Sequence, residues 1–447
     1  MPASAADSAL YRRLFGDDET ARLFTDTAEI RAMLMVEGAL AQVQGDLGLI
    51  PREAAAFLQR ACLEVQIDPE GLAQETAANG VCIPALISAF RVASNAPDFA
   101  QYLHWGATSQ DIIDTGLALR LRPVLAIWRG RIEATLQALA GLAEAHAALP
   151  MAARTYGQIA TPGSFGACVA AWGRPLMAHR AALEGVSAQV LQVSLGGASG
   201  TLAAMGPQGA AVRAGLAKAL GLRDPGRSWH AEREGIAAFG AWMAGVAGSL
   251  GKMGEDLILL TQSGIAEVSL GGGGASSTMP QKQNPVGPSV MVALARQIIG
   301  LQATMQGAAL HRQNRDGAAW FTEWLTLPQM CISLGRMLAL AEDMAQRVTP
   351  VPAAMARGLE DGSGMIHAEA FSFALASLMP RPEAQAVVKA LCKEARATGG
   401  SLIALIAREY PALDVPSVLS GPGGLGTAPD EAQAFAAEVR RAAALGG

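Results

Sequence analysis

The chain has 447 residues, more than one ordinary hydrophobic core accommodates, so two or three domains are expected. Hydrophobic residues make up 51% of it, charged residues 16% and aromatic residues 5%, a profile of helices packed closely on helices. The net charge of −5 argues against a nucleic-acid binder, and it leaves any anionic substrate to be attracted by local cations.

Cys62, Cys82, Cys168, Cys331 and Cys392 are scattered and odd in number, the pattern of reduced structural cysteine in a cytoplasmic protein. Asp7 and the Arg12–Arg13 pair precede any apolar run, which does not match a signal peptide. The run Ile236–Gly251 is too short to span a bilayer and reads as a buried helix, so no membrane partner is expected.

Helical periodicity dominates and strand signals are scarce. From Ile30, the apolar positions Met33, Leu34, Leu40, Val43 and Leu47 keep the three-four spacing of one helix face. Asp26 with Glu29 predicts a capped start, and Pro51 a stop. Short helices are expected from there to about Asn95. Five long helices follow, at roughly 109–147, 162–193, 232–266, 285–313 and 320–347. Pro123, Pro175 and Pro328 fall inside them and should bend them or mark their ends. Shorter helices return after Pro350, over Glu369–Met379, Arg381–Ala397 and Asp430–Ala444, with a loop at 421–424. The expected architecture is all-α, in three helical domains: short helices over 1–103, a central bundle of five long helices over 104–348, and a small helical domain over 349–447.

Three polar segments stand out, each before a long helix. In HWGATSQD, His104 to Asp111, Thr108 or Ser109 can cap, and Thr108 with Asp111 has capping-box spacing. In RTYGQIATPGSFG, Arg154 to Gly166, Thr161 can cap, with Pro162 at the first helical position. In GGGGASSTMPQKQNP, Gly271 to Pro285, Asn284 can cap. Helix starts offer unpaired N–H groups and a positive dipole end, so three of them rich in Thr, Ser, Gln, Asn and Lys describe a site for a substrate with several carboxylates. In an up-down bundle the first two helices point opposite ways, which separates their starts within one chain. The motifs can meet if different subunits supply them, so a homo-oligomer with shared sites is expected.

Taken singly, each motif reads first as an ordinary helix cap, and His104 as a hydrogen-bonded structural histidine before a catalyst. A phosphate loop is excluded because no Gly-Lys-Ser/Thr follows the glycine run. The six histidines show no paired ligand spacing, so neither metal nor cofactor is expected. No Gly-x-Ser-x-Gly nucleophile elbow is present.

Together the three motifs resemble the shared regions of the fumarase/aspartase superfamily, in the same order. GASSTMPQKQNP resembles its signature loop, with Ala275 in place of a glycine. The segments LFGDDETARLFTDTAEIRAML, CIPALISAF, HWGATSQDIIDTGLALRLR, WHAEREGIAAF and NRDGAAWFTEWLTLP are similar to the bacterial 3-carboxy-cis,cis-muconate cycloisomerases within it. The resemblance implies the L-aspartase-like fold, a homotetramer, and conversion of a small tricarboxylate, 3-carboxy-cis,cis-muconate, to 4-carboxymuconolactone in protocatechuate breakdown. It implies catalytic roles for Ser276, Ser277 and Lys282. Substrate contacts would come from His104, Thr108, Ser109, Arg154, Thr155, Tyr156, Gln158, Met279, Asn284, Arg312 and Arg315. The competing readings are fumarate-releasing elimination of the adenylosuccinate-lyase kind and a non-catalytic helical scaffold. Fumarate-releasing members typically carry Thr-His in the second motif; here the pair is Thr155–Tyr156, which favours lactonisation.

Overall fold

The computed structural model describes residues 4–446, apart from 273, 276–278, 280, 361 and 422–423. Ser276 and Ser277 therefore lie outside the described residues. The first sizeable helix is Asp26–Asp46. Its cap is Thr25, whose hydroxyl accepts from the Ala28 amide at 3.2 Å, one residue earlier than expected; Asp26 and Glu29 complement the dipole from the first turn. Pro51 precedes the next helix, Arg52–Glu64, so this proline opens a helix instead of closing one.

The five long helices are Ser109–Ala145, Phe165–Val190, Glu234–Leu260, Val286–Ala308 and Gly317–Arg347. Pro123, Pro175 and Pro328 stay inside them and end none. Val286–Ala308 has the length and apolarity to cross a membrane, although Arg296 lies within it.

The second motif departs from expectation. Its residues form a β-hairpin, β1 (Pro150–Thr155) antiparallel to β2 (Gln158–Ser164), where a coil leading into a helix at Pro162 was expected. The two turn residues, Tyr156 and Gly157, have φ of 52° and 72°, the left-handed pair that closes a two-residue hairpin. Pro162 is tolerated because the hairpin has only edge strands, which can spare an N–H. The helix begins at Phe165, and Ser164 takes the capping role expected of Thr161, accepting from the Ala167 amide at 3.1 Å.

Four short strands complete the set among the described residues. β3 (Val268–Ser269) pairs with β6 (Thr349–Pro350), and β4 (Gly274–Ala275) with β5 (Gln283–Asn284). Asn284 is thus a strand residue, not the cap of the helix that starts at Val286.

Contacts divide the chain into two compact units. The first comprises Met1–Arg131, His179–Gly248 and Ala293–Ala339; the second comprises Ile132–Ala178, Ser249–Val292 and Leu340–Gly447. Every long helix contributes residues to both. In the first unit, Met33, Leu34, Leu40, Leu86, Phe90, Ile112, Val212 and Leu216 form a buried core. Each such side chain is worth about 1.5–3 kcal/mol of burial. The second unit has a core of its own around Phe371, Leu375, Val388, Leu402 and Ile406.

Candidate active site

The first motif delivers Asp111 to the third position of the Ser109–Ala145 helix, and that placement organises the site. Its Oδ2 accepts from the Thr108 amide at 3.0 Å, the reach-back half of the expected capping box. The same carboxylate accepts from the amides of Gly196 (2.8 Å) and Gly197 (2.9 Å) and meets Nε2 of His230 at 2.7 Å. One turn on, the Thr115 hydroxyl accepts from the Ser194 amide at 2.8 Å and donates to the Ser194 carbonyl at 3.0 Å. Asp111 and Thr115 share a helix face at i, i+4 and together pin the Ser194–Gly197 loop. Gly196 must lack a side chain here, because a Cβ would lie 2.6 Å from Ser228 Oγ and 3.0 Å from His230 Cε1.

A second buried network supports the first. Arg233 donates to Asp114 (Nη1, 2.7 Å) and to Glu323 (Nε, 2.8 Å), all three being almost fully buried. Trp320 Nε1 and Gln110 Nε2 also donate to Asp114, at 3.1 and 3.2 Å. Burial opposes the charge on Arg233, but Asp114 and Glu323 outweigh it and keep the guanidinium firmly protonated. Burial also pushes the Glu323 carboxyl up, against the pull of Arg233. The arrangement locks the segment carrying His230 and Arg233 against the first and last long helices within this unit.

Arg315 completes the cluster. Its Nε donates to Gln110 Oε1 at 2.9 Å, Nη1 to Thr108 Oγ1 at 3.3 Å, and Nη2 to the Ala198 carbonyl at 3.3 Å. Nη2 also lies 3.4 Å from His230 Nδ1. Asp111 can only accept, so the His230 proton belongs on Nε2, and Nδ1 presents its lone pair to Arg315. A guanidinium has five N–H donors; these four contacts leave one, on Nη1, for a ligand. Thr108, accepting from Arg315, keeps its own hydroxyl proton to donate.

The other expected residues take varied positions. His104, at φ 65°, directs Nδ1 to Oε1 of the buried Glu37 at 2.6 Å. Burial works against a charged ring there, but the charge and hydrogen bond of Glu37 more than offset it, and the His104 pKa is raised. Ser109 opens the long helix. Arg312 is largely exposed and held by Asp316 (Nη2 to Oδ1, 3.1 Å), so it stands apart from the Arg315 cluster in bonding.

In the second unit, Arg154, Thr155, Tyr156 and Gln158 share the hairpin. Arg154 makes a two-pronged pair with the buried Glu267, at 2.7 and 2.7 Å, which occupies it structurally. Tyr156 is fully exposed at the hairpin tip. Met279 and Lys282 are exposed, and Asn284 is half-buried in β5.

His230, Gln110 and the Ser194–Ala198 loop were not singled out by sequence reasoning, and Asp111 was read only as part of a cap. A signal existed: the polar run His230-Ala-Glu-Arg233 stands immediately before a long apolar helix, as the three recognised motifs stand before theirs.

Comparison with known proteins agrees with the geometry. A model of the lyase family matches residues 11–300. A 3-carboxy-cis,cis-muconate cycloisomerase of Pseudomonas aeruginosa is 37% identical over 87% of this chain and 85% of its own. The crystal structure of the 3-carboxy-cis,cis-muconate lactonizing enzyme from Pseudomonas putida superposes with a TM-score of 0.88, at 32% identity, covering 97% of this chain and 99% of that one. A fumarate lyase structure from Mesorhizobium sp. BNC1 gives the same TM-score at 33% identity, covering 96% and 99%. The fold is therefore the expected all-α lyase fold, and the chain is an enzyme that belongs to the fumarase/aspartase superfamily of lyases.

Proposed function

We propose that the protein cyclises 3-carboxy-cis,cis-muconate to 4-carboxymuconolactone. The observation that carries this reading is the second motif, where the hairpin tip is Thr155-Tyr156-Gly157 and offers no histidine. Release of a poor leaving group needs a general acid there. Lactonisation does not, because its nucleophile is a substrate carboxylate of pKa about 4, already ionised at neutral pH.

The reaction is an internal addition. A carboxylate oxygen forms a C–O bond to the conjugated double bond, and the displaced electron pair moves into the adjacent carboxylate as a dianionic aci-carboxylate. A proton then reaches the α-carbon, so the ionised tricarboxylate takes up one proton and leaves as a lactone with two carboxylates. Donors already aimed at the developing charge lower this barrier most. Arg315, anchored on Gln110, Thr108, Ala198 and His230, supplies one such donor, and the Thr108 hydroxyl another. Ser109, Thr155, Gln158, Lys282 and Asn284 are the further donors in this reading. Ser276 or Ser277 delivers the proton, with Lys282 lowering the serine pKa by its charge.

In this account the active sites form between subunits of a cytoplasmic homotetramer, the ligand is a small tricarboxylate, and neither nucleic acid nor membrane takes part. Fumarate-releasing elimination is the second reading, favoured by the 33% identity to the Mesorhizobium fumarate lyase structure. Proton NMR of the product in D2O separates the two. Cyclisation gives a lactone carrying a single deuterium next to a carboxylate, with no fumarate. Recovery of unreacted muconate would reject the proposal.

A further inference from the structure

The second unit contains a cavity of about 720 Å3 whose two exposed arginines, Arg357 and Arg396, have no part in the proposed chemistry. It is lined by Arg154, Arg357, Arg396, Glu267, Gln158 and Ser363, among others. Glu267 is its one lining carboxylate among the described residues, and both of its oxygens are taken by Arg154 at 2.7 Å. Gly358 brings the Pro352–Leu359 helix directly onto that pair: a Cβ there would lie 2.9 Å from Glu267 Oε1 and 3.6 Å from Arg154 Nη2. The neighbouring residue, Arg357, is thereby set at the cavity beside an acid that is already neutralised.

Arg357 and Arg396 have no carboxylate partner among the described residues. Arg357 Nη1 donates to the Ala353 carbonyl of its own helix at 3.1 Å, and Arg396 Nε lies 3.4 Å from the Met365 sulfur. Both side chains are exposed and solvated, which leaves most of their N–H groups available. The cavity thus carries two uncompensated positive charges in a chain whose net charge is −5. A cleft lined by one sign of charge concentrates ions of the other. Guanidinium forks match the planar oxygens of carboxylates and phosphates in two-pronged fashion.

We propose that this cavity binds a small multivalent oxyanion, a polycarboxylate or a phosphate ester, gripped by Arg357 and Arg396. The Arg154–Glu267 pair forms a neutral, rigid wall. The inference does not depend on the cyclisation reading, since Arg357 and Arg396 have no role in it.

The test is calorimetric titration of the full-length protein with citrate and, separately, inorganic pyrophosphate, at low ionic strength. At least one should bind saturably, and the tighter one identifies the class. The Arg357→Ala/Arg396→Ala variant should bind it about a hundredfold more weakly, roughly tenfold for each charged partner removed. A second measurement uses the wild type and is immune to misfolding of the variant. The anion should shield Arg357 and Arg396 from phenylglyoxal, read by mass spectrometry, while the exposed Arg312 stays reactive. Saturable binding of neither anion, equal affinity in the double variant, or labelling of Arg357 and Arg396 that ignores the anion would each overturn the proposal. A protein inactive on muconate that still binds citrate through these arginines would reject the cyclisation and leave this site standing.

Discussion

Nε2 of His230 lies 2.7 Å from Oδ1 of Asp111, and that contact decides how the opposite ring nitrogen meets Arg315. The imidazole is a spacer between a fixed carboxylate and the guanidinium that, in the proposed reaction, addresses the substrate. His230→Gln should therefore lower kcat/KM about a hundredfold through misplacement of Arg315, with the thermal midpoint little changed. Asp111→Asn should behave differently. It turns an amide toward groups that themselves donate, so the fold should lose about 2–4 kcal/mol by urea titration. Equal losses of stability in the two variants would contradict this division of labour.

The His104–Glu37 pair ties stability to pH. The folded-state pKa of His104 is raised above its ordinary 6.5 by the charge of Glu37, against the opposing effect of burial. The pair's contribution is accordingly complete below about pH 6.5 and is lost as pH rises through the raised value. His104→Asn keeps a residue that tolerates the left-handed backbone found there. Compared with wild type in urea melts, it should be destabilised more at pH 5.5 than at pH 9. A gap that widens with pH would refute the assignment.

The Arg154–Glu267 pair predicts unequal single and double variants. Arg154→Ala leaves a buried carboxylate unpaired and should cost about 2–4 kcal/mol. Adding Glu267→Ala removes the stranded charge, so the double variant should recover part of that loss. Additive losses in a double-mutant cycle would mean that the two side chains act independently.

Shared active sites can be tested by mixing two inactive variants. If the first and third motifs of one site come from different subunits, Thr108→Ala refolded with Lys282→Ala regains activity. Random assembly gives about a quarter of the sites both intact motifs. Light scattering of the same sample should report four chains. No recovery on co-refolding would place both motifs of a site in one chain.

Much of the fold was legible because a 3.6-residue apolar period over long segments is a strong signal. The five long helices appear within three residues of their expected bounds, except where the third ends at Leu260 and the fourth at Ala308. The hairpin at 150–164 was hidden by Pro162, which reads as a helix start, and by a Tyr-Gly turn in place of the usual Asn-Gly. In the site, Thr108 and Arg315 were anticipated and are hydrogen-bonded to one another. His230 was not, because its partner Asp111 lies 119 residues away and nothing local announces such a pairing. Asp111 illustrates the limit from the other side, since one carboxylate caps a helix, pins a loop and orients an imidazole. Only the first of these is a matter of local spacing.

The ultraviolet absorbance of 3-carboxy-cis,cis-muconate, followed in the presence of the purified protein, tests the central claim most directly. Cyclisation interrupts the conjugated diene, so the account predicts loss of that absorbance with wild type. It also predicts its persistence with Arg315→Ala and with one of Ser276→Ala or Ser277→Ala. Unchanged muconate absorbance with the wild type, above all alongside cleavage of adenylosuccinate, would contradict it.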